Sequence, residues 1–351
     1  MKMIPEGTTK SLDSLVDSGM LKGRGFTMTE IQIGPSGSGA AIADNAVVPE
    51  DIKGDIDQFM RDGFIGPIKL YEPDEAAEIL REVRVKNQDT THSVFQNSMN
   101  YDRHLDIPEL SSHVTHPTIL KYLNAILGPD VLSWRTEFFA KFPGSRGTEW
   151  HQVRDYSYAT GVPQLLPTES DWNAYVDITV WTTFTPATKE TGCMRFVRGS
   201  HRDRIFDESK TPSRGREEQY GSDHVTTFTQ DTGFYGYDFS DFAIDPNWEP
   251  RPEDVVDVEM VPGEALIFTA SCVHGSLPNI TERDTRFAIT SRYVPTHVRV
   301  YPNQDSYKAH GQEFDLKNYG AVVVSGEDTY GHNRLRTTNA HGQTFKVKNT
   351  H

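Results

Sequence analysis

The sequence predicts a mainly β fold, a barrel or double-sheet jelly roll with flanking N-terminal helices. Two features point to it. Helical spacing of apolar residues lies early, between about residues 50 and 127, and short segments rich in aromatic and β-branched residues follow without alternating βα units. The 27 glycines and 20 prolines among 351 residues supply the many turns such a fold needs.

The elements read off in order. Asp51–Asp62 sets Ile52, Ile56, Phe59 and Met60 at helical spacing and stops at Gly63. Pro73–Arg84 carries Ala76, Ala77, Ile79 and Leu80, and Pro117–Leu127 carries Ile119, Leu120, Leu123 and Ile126 before Gly128-Pro129. The strand candidates are Val131–Phe142, Asp177–Phe184, Cys193–Val197, Glu264–Ala270 and Thr285–Tyr293. The polar stretch from His201 to about Tyr235 is too long for a hairpin connection and reads as a lid or rim. Ahead of these elements, Ile33–Gly39 has linker composition, so residues 1–49 are expected as an irregular extension on a single domain spanning 50–351. No Gly-Lys-Ser/Thr closes the glycine-rich piece, which rules out a phosphate loop.

Composition narrows the function. Fifty acidic against 35 basic residues give a formal charge of −15, which repels a phosphate backbone, so no nucleic-acid partner is expected. Cys193 and Cys272 are too few for a disulfide scaffold or a four-thiolate site and read as reduced, buried side chains. No run reaches the roughly 18 apolar residues of a membrane span, and Met1–Ser18 lacks an apolar signal core. The expectation is a soluble cytoplasmic protein with no membrane partner.

Two of the 13 histidines stand apart by context. His151 lies in Gly147-Thr-Glu-Trp-His-Gln152, and His274 follows the apolar run Ala265–Ala270 in Ser271-Cys-Val-His-Gly-Ser276. Arg286 stands on the strand candidate beyond it. A jelly roll can bring an early and a late histidine together at its mouth. Two imidazoles suit Fe(II) and leave positions for a co-substrate and oxygen, while an arginine can hold a dicarboxylate in two-pronged fashion. By pattern alone, scattered structural histidines explain the same residues.

Several longer motifs carry a resemblance. They are Asn100-Tyr-Asp-Arg-His-Leu-Asp106, the run from Ile126 to Phe139, Gly147–Gln152, Val180–Thr185, Ser291–Pro295 and Tyr319–Val322. Collinearly from about Gly54 to Val347, the chain resembles the non-haem iron, 2-oxoglutarate-dependent halogenases that act on carrier-bound amino acids, within the phytanoyl-CoA hydroxylase-like superfamily. The resemblance implies a double-stranded β-helix, the cupin-like jelly roll, with Fe(II), 2-oxoglutarate, O2 and chloride as cofactors. It implies that His151 and His274 bind the iron and that Arg286 pairs with the distal carboxylate of 2-oxoglutarate. Trp181 and Thr179 match the co-substrate and halide side, and Arg292 a second arginine of the same polar network. Glu137, Tyr156 and Tyr158 match positions facing substrate, the two tyrosines standing in place of a Phe and an Asn. Read without the resemblance, Trp181 and Glu137 serve equally as a core aromatic and a strand-surface residue.

The third ligand position departs from both patterns. Hydroxylases of the superfamily carry His-x-Asp or His-x-Glu, and the halogenases replace the carboxylate with Ala or Gly. Here the sequence is His151-Gln-Val153. Valine cannot bind metal, yet its two methyl groups beyond Ala crowd a halide. Asp155 sits four residues from His151, roughly 13 Å along an extended chain, and reaches the metal only if the chain bends after Gln152. Arg154 and Asp155 read either as anchors for a small zwitterion or as a solvated pair at the rim.

The expected activity is therefore oxidative chlorination of an unactivated C–H bond of an amino acid tethered to a phosphopantetheinyl carrier protein. Hydroxylation, desaturation or ring closure with the same cofactors is the alternative, and a non-catalytic jelly-roll binding protein the third. Arg204, Lys210, Arg214 and Arg216 on the long loop offer a basic rim for an acidic carrier or a merely solvated one.

Overall fold

In the computed structural model, the described residues are 41–89, 91, 100–154, 156–157, 161–167, 175–210, 239–309 and 312–347. Most of the expected N-terminal extension, Tyr158, Asp155, Arg214 and Arg216 lie outside them.

Helix α1 (Lys53–Asp62) buries Ile56 and Phe59 and ends at Gly63, whose φ of 87° and N–H bond to the Phe59 carbonyl close the last turn. A Cβ there would meet His201 Nδ1 at 2.6 Å, so the turn needs glycine on two counts. Strand β1 (Phe64–Lys69) follows at once; the expected elements omitted it, because Gly66-Pro67 interrupts its pattern. Helix α2 (Pro73–Lys86) starts with proline in its first turn and buries Ala76, Leu80 and Val83 along one stripe. A one-turn helix α3 (Pro108–His113) precedes α4 (Pro117–Leu127), whose first turn is capped by His116 through the Thr118 N–H.

The remaining elements are strands. They are β2 (Val131–Lys141), β3 (Thr148–His151), β4 (Leu165–Leu166), β5 (Ile178–Thr183), β6 (Met194–Val197), β7 (Val255–Val258), β8 (Glu264–Thr269) and β9 (His274–Ser276). Then come β10 (Arg286–Pro295), β11 (Arg299–Val300), β12 (Ser306–Ala309), β13 (Gln312–Asp315) and β14 (Val322–Ser325). Six pair antiparallel in the order β1-β8-β5-β10-β2-β14, and four in the order β3-β9-β6-β7. The chain passes back and forth between these two sheets, with β5 in the first, β6 and β7 in the second, β8 in the first, β9 in the second and β10 in the first. That is the jelly-roll winding expected from the sequence.

Alternation along each strand sorts side chains between two environments. Trp181 and Ala288 join Phe196, Met194 and Val258 of the smaller sheet in one apolar cluster. Their neighbours Val180 and Ile289 face the helices instead, in clusters holding Phe59, Leu123, Leu80 and Leu110. The helices thus cover one face of the large sheet, and the other face lines the interior. No helix among the described residues is long and apolar enough to cross a membrane.

Candidate active site

The interior face of the large sheet can be read from its register. Opposite residues on β2, β10 and β5 are Lys141 with Arg286, Phe139 with Ala288 and Thr183, Glu137 with Thr290 and Trp181, and Arg135 with Arg292 and Thr179. Arg286 and Arg292 share a face but stand six residues apart, about 20 Å along the strand. The site therefore has two polar ends, with the histidine strands of the small sheet opposite.

His151 closes β3 and His274 opens β9, and the two are register partners with ring centroids 4.2 Å apart. Each ring is fixed through Nδ1, which donates to the Glu149 carbonyl in His151 and to the Cys272 carbonyl in His274, both at 2.8 Å. That tautomer leaves the lone pair on Nε2, the arrangement of a metal-ligating imidazole. Burial, with Arg292 adding to it, pulls His151 down to about 4, and burial followed by the neighbouring His151 holds His274 well below the ordinary histidine value. Both rings are neutral near pH 7. Phe239 stacks on His151 at 4.2 Å, and Phe268 packs beside His274 at 4.8 Å, so the pair lies in an apolar bed. Sequence reasoning missed these aromatics, because Phe239 is local to neither motif.

At one end, Arg286 is buried with its guanidinium over the Trp181 ring, 5.0 Å from the centroid. Its Nε has no hydrogen-bond partner and no carboxylate among the described residues lies within ion-pair distance. Burial lowers it to about 10. A buried, unpaired arginine beside an aromatic face is suited to an incoming carboxylate.

At the other end, Arg292 donates from Nε to Glu137 Oε2 (2.8 Å) and from Nη1 to the Tyr156 hydroxyl (2.6 Å) and Thr179 Oγ1 (3.1 Å). Tyr156 donates on to Asp177 Oδ2 at 2.6 Å, and Trp134 Nε1 donates to Asp177 Oδ1 at 3.0 Å. Burial raises the carboxyl of Asp177 and the phenol of Tyr156. Four residues singled out by sequence, Glu137, Tyr156, Thr179 and Arg292, thus form one network; Asp177 and Trp134 complete it without having been expected. Tyr156 adopts φ of 62°, a strained left-handed conformation for a bulky residue, which the network holds in place.

Between the ends, no group of three His, Cys, Asp or Glu side chains among the described residues could hold a metal ion. Val153 belongs to the large apolar cluster, and its N–H bonds to the Ala270 carbonyl at 3.0 Å. Gln152 is a structural clasp. Its amide donates to the carbonyls of Ser200, Asp203 and Ser271 and accepts the N–H groups of Ile205 and Phe206. Replacing Gln152 with Leu should cost about 2–4 kcal/mol in urea denaturation, because two buried backbone donors and three carbonyls lose their partner. A loss below about 1 kcal/mol would mean that the 200–206 segment is held elsewhere. Arg154 is tied to that segment as well, its N–H to Glu208 and its Nη2 to the Asp203 carbonyl, and Arg204 is paired with Asp207.

The sequence matches the phytanoyl-CoA dioxygenase (PhyH) family over residues 47–288. Among solved structures, CytC3 with Fe(II) and alpha-ketoglutarate aligns at 31% identity with a TM-score of 0.64, covering 88% of this chain and 100% of that one. A second structure of CytC3 aligns at 32% identity and 0.64, over 88% and 99%. The apo form of the non-haem monooxygenase ThoJ shares the fold at 23% identity and 0.53, over 78% and 84%. No curated protein matches the chain.

Proposed function

From the premise that this chain belongs to the phytanoyl-CoA dioxygenase family, and is a non-haem iron enzyme using Fe(II), 2-oxoglutarate and O2, we propose that it chlorinates an unactivated C–H bond of an amino acid carried on a phosphopantetheinyl carrier protein. One observation carries this reading: Val153 stands where a carboxylate ligand would complete a facial triad, with no substitute among the described residues. Ferrous iron and the dianionic oxoacid cancel in charge, and the neutral imidazoles add none. The site then keeps a net positive charge at its Arg286 end, which a halide at the third position reduces.

When bound, the iron centre supplies oxidation of the C–H bond, consuming 2-oxoglutarate, O2, chloride and a proton and yielding the C–Cl bond, succinate, carbon dioxide and water. The chain's own residues position and exclude. His151 and His274 present Nε2 to the metal, and Arg286 over Trp181 receives the distal carboxylate. Phe239, Phe196 and Phe268 keep water from the metal side. Arg292, held by Glu137, Tyr156 and Thr179, fixes the polar end that faces the substrate.

The bulk of Val153 favours a second reading, in which the same cofactors hydroxylate, desaturate or cyclise the substrate. Anaerobic protein with Fe(II) and 2-oxoglutarate separates the two. Chloride should shift the visible charge-transfer band and tighten 2-oxoglutarate binding about tenfold, V153D should abolish both responses, and carrier-bound amino acids should yield chlorinated mass. A band indifferent to chloride puts the second reading first, and no band at all would falsify the iron-enzyme assignment.

A further inference from the structure

Arg286 is not the only buried cation at its end of the sheet. Lys141 closes β2 directly opposite it, on the same face, and is equally buried. Its ammonium donates to the Arg146 carbonyl (2.9 Å), the Ser276 hydroxyl (2.8 Å) and the Leu277 carbonyl (2.8 Å). All three acceptors are neutral, and Ser276 already donates its proton to Thr148. The cradle is built around the stem: a Cβ on Gly192, at φ of 90°, would meet Lys141 Cδ at 2.5 Å. Two buried cations therefore share one sheet face with no carboxylate among the described residues in ion-pair contact with either.

The surroundings pull Lys141 in opposite directions. Its three hydrogen bonds are written for the ammonium, since a neutral amine would turn a lone pair toward an acceptor. Against that, burial and then Arg286 on β10 push it down to about 7, with Glu149 on β3 and Cys193 before β6 opposing weakly. The free protein thus holds its second charge only marginally near neutral pH.

We propose that Lys141 is the second cation of the co-substrate site and takes up a proton when a dicarboxylate settles on Arg286. The inference rests on the 2-oxoglutarate-dependent reading above. The sign follows from linkage: an anion beside Lys141 favours its charged form, so the complex binds a proton that the free protein lacks, and affinity weakens as pH rises. Lys141 acts through charge and not through a claimed contact, which makes it a positioning residue.

Calorimetry of 2-oxoglutarate binding to the full chain saturated with Mn(II), between pH 6.5 and 8.5, tests this. The dianion itself does not titrate in that range. Wild type should lose affinity tenfold or more across it and take up close to one proton per ligand at pH 8, read from buffers of different ionisation heat. K141R, which keeps a charge that does not titrate, should bind with flat affinity and no proton uptake. K141M should bind about tenfold more weakly than wild type at pH 6.5, again without uptake. Tight binding by wild type with no pH dependence and no proton uptake would overturn the inference, and needs no variant to be folded. An unchanged pH profile in K141R would overturn it too. Failure of wild type to bind 2-oxoglutarate at any pH would instead overturn the oxoacid-dependent reading on which it rests.

Discussion

Replacing Arg286 with leucine lowers 2-oxoglutarate affinity about 30- to 1000-fold and leaves the ligand-free protein as stable as wild type or more so. The first half follows from the donors lost. A guanidinium poised over Trp181, with Nε unpartnered, meets a carboxylate by charge-assisted hydrogen bonds in a water-poor site, and truncating such a partner costs about 2–4 kcal/mol of binding. The second half follows from what Arg286 costs when nothing is bound. Its fall from the ordinary arginine value to about 10 corresponds to roughly 3 kcal/mol of unfavourable burial, and an apolar side chain of similar length removes that cost. Binding loss with a gain of about 1–3 kcal/mol in urea denaturation is the signature of a residue kept for its ligand. R286K should recover part of the affinity, as a charge without the planar fork. If R286L instead destabilises the free protein by several kcal/mol, Arg286 is a structural cation with an anionic partner outside the described residues.

The same contrast explains what could be read from the sequence. Strands β2, β5 and β10 were legible almost to the residue: Val131–Phe142 was expected against Val131–Lys141 found, and Asp177–Phe184 against Ile178–Thr183. Long alternation of aromatic and β-branched side chains leaves little freedom there. The two strands that carry the histidines are four and three residues long, too short for any periodic signal, and only the motifs around His151 and His274 revealed them. Glu137, Thr179 and Arg292 were each found by resemblance, but their joining into one network depends on register across three strands, which no local pattern encodes. Lys141 shows the limit most clearly. In sequence it is one more lysine at the end of a strand; opposite Arg286, it becomes half of a buried charge pair. Asp177 is similar, an ordinary strand-edge acid until Tyr156 and Trp134 converge on it.

Acid should unfold the metal-free protein between about pH 4 and 5.5, and a bound divalent metal should delay it. Burial pulls His104 and His113 down to about 3, and His201 and His297 to about 4, from an ordinary value of 6.5. A histidine depressed in the folded state stays neutral there while the unfolded chain protonates, so stability is lost as pH falls from 6.5 toward 4, by about 1.4 kcal/mol per unit for each ring. Buried acids work against this. Asp102, raised to about 7 by burial, keeps a proton that the unfolded chain has released at those pH values, and burial shifts Asp106 and Asp177 in the same direction. The depressed histidines outnumber these acids, so stability falls as the pH drops through that range. In the metal-free chain His151 and His274 join the histidine side and steepen the slope by about 3 kcal/mol per unit, a large part of a typical stability of about 5–15 kcal/mol over two pH units. Metal bound by those two rings favours the folded state by mass action, so its effect on the acid transition reports occupancy without any assay of turnover. Circular dichroism against pH, with and without Mn(II), should show a cooperative metal-free transition between about pH 4 and 5.5 that moves to lower pH with metal. H151A should keep an acid transition and lose its response to Mn(II). An identical transition with and without saturating metal would mean that His151 and His274, however well their rings are set, do not hold the ion.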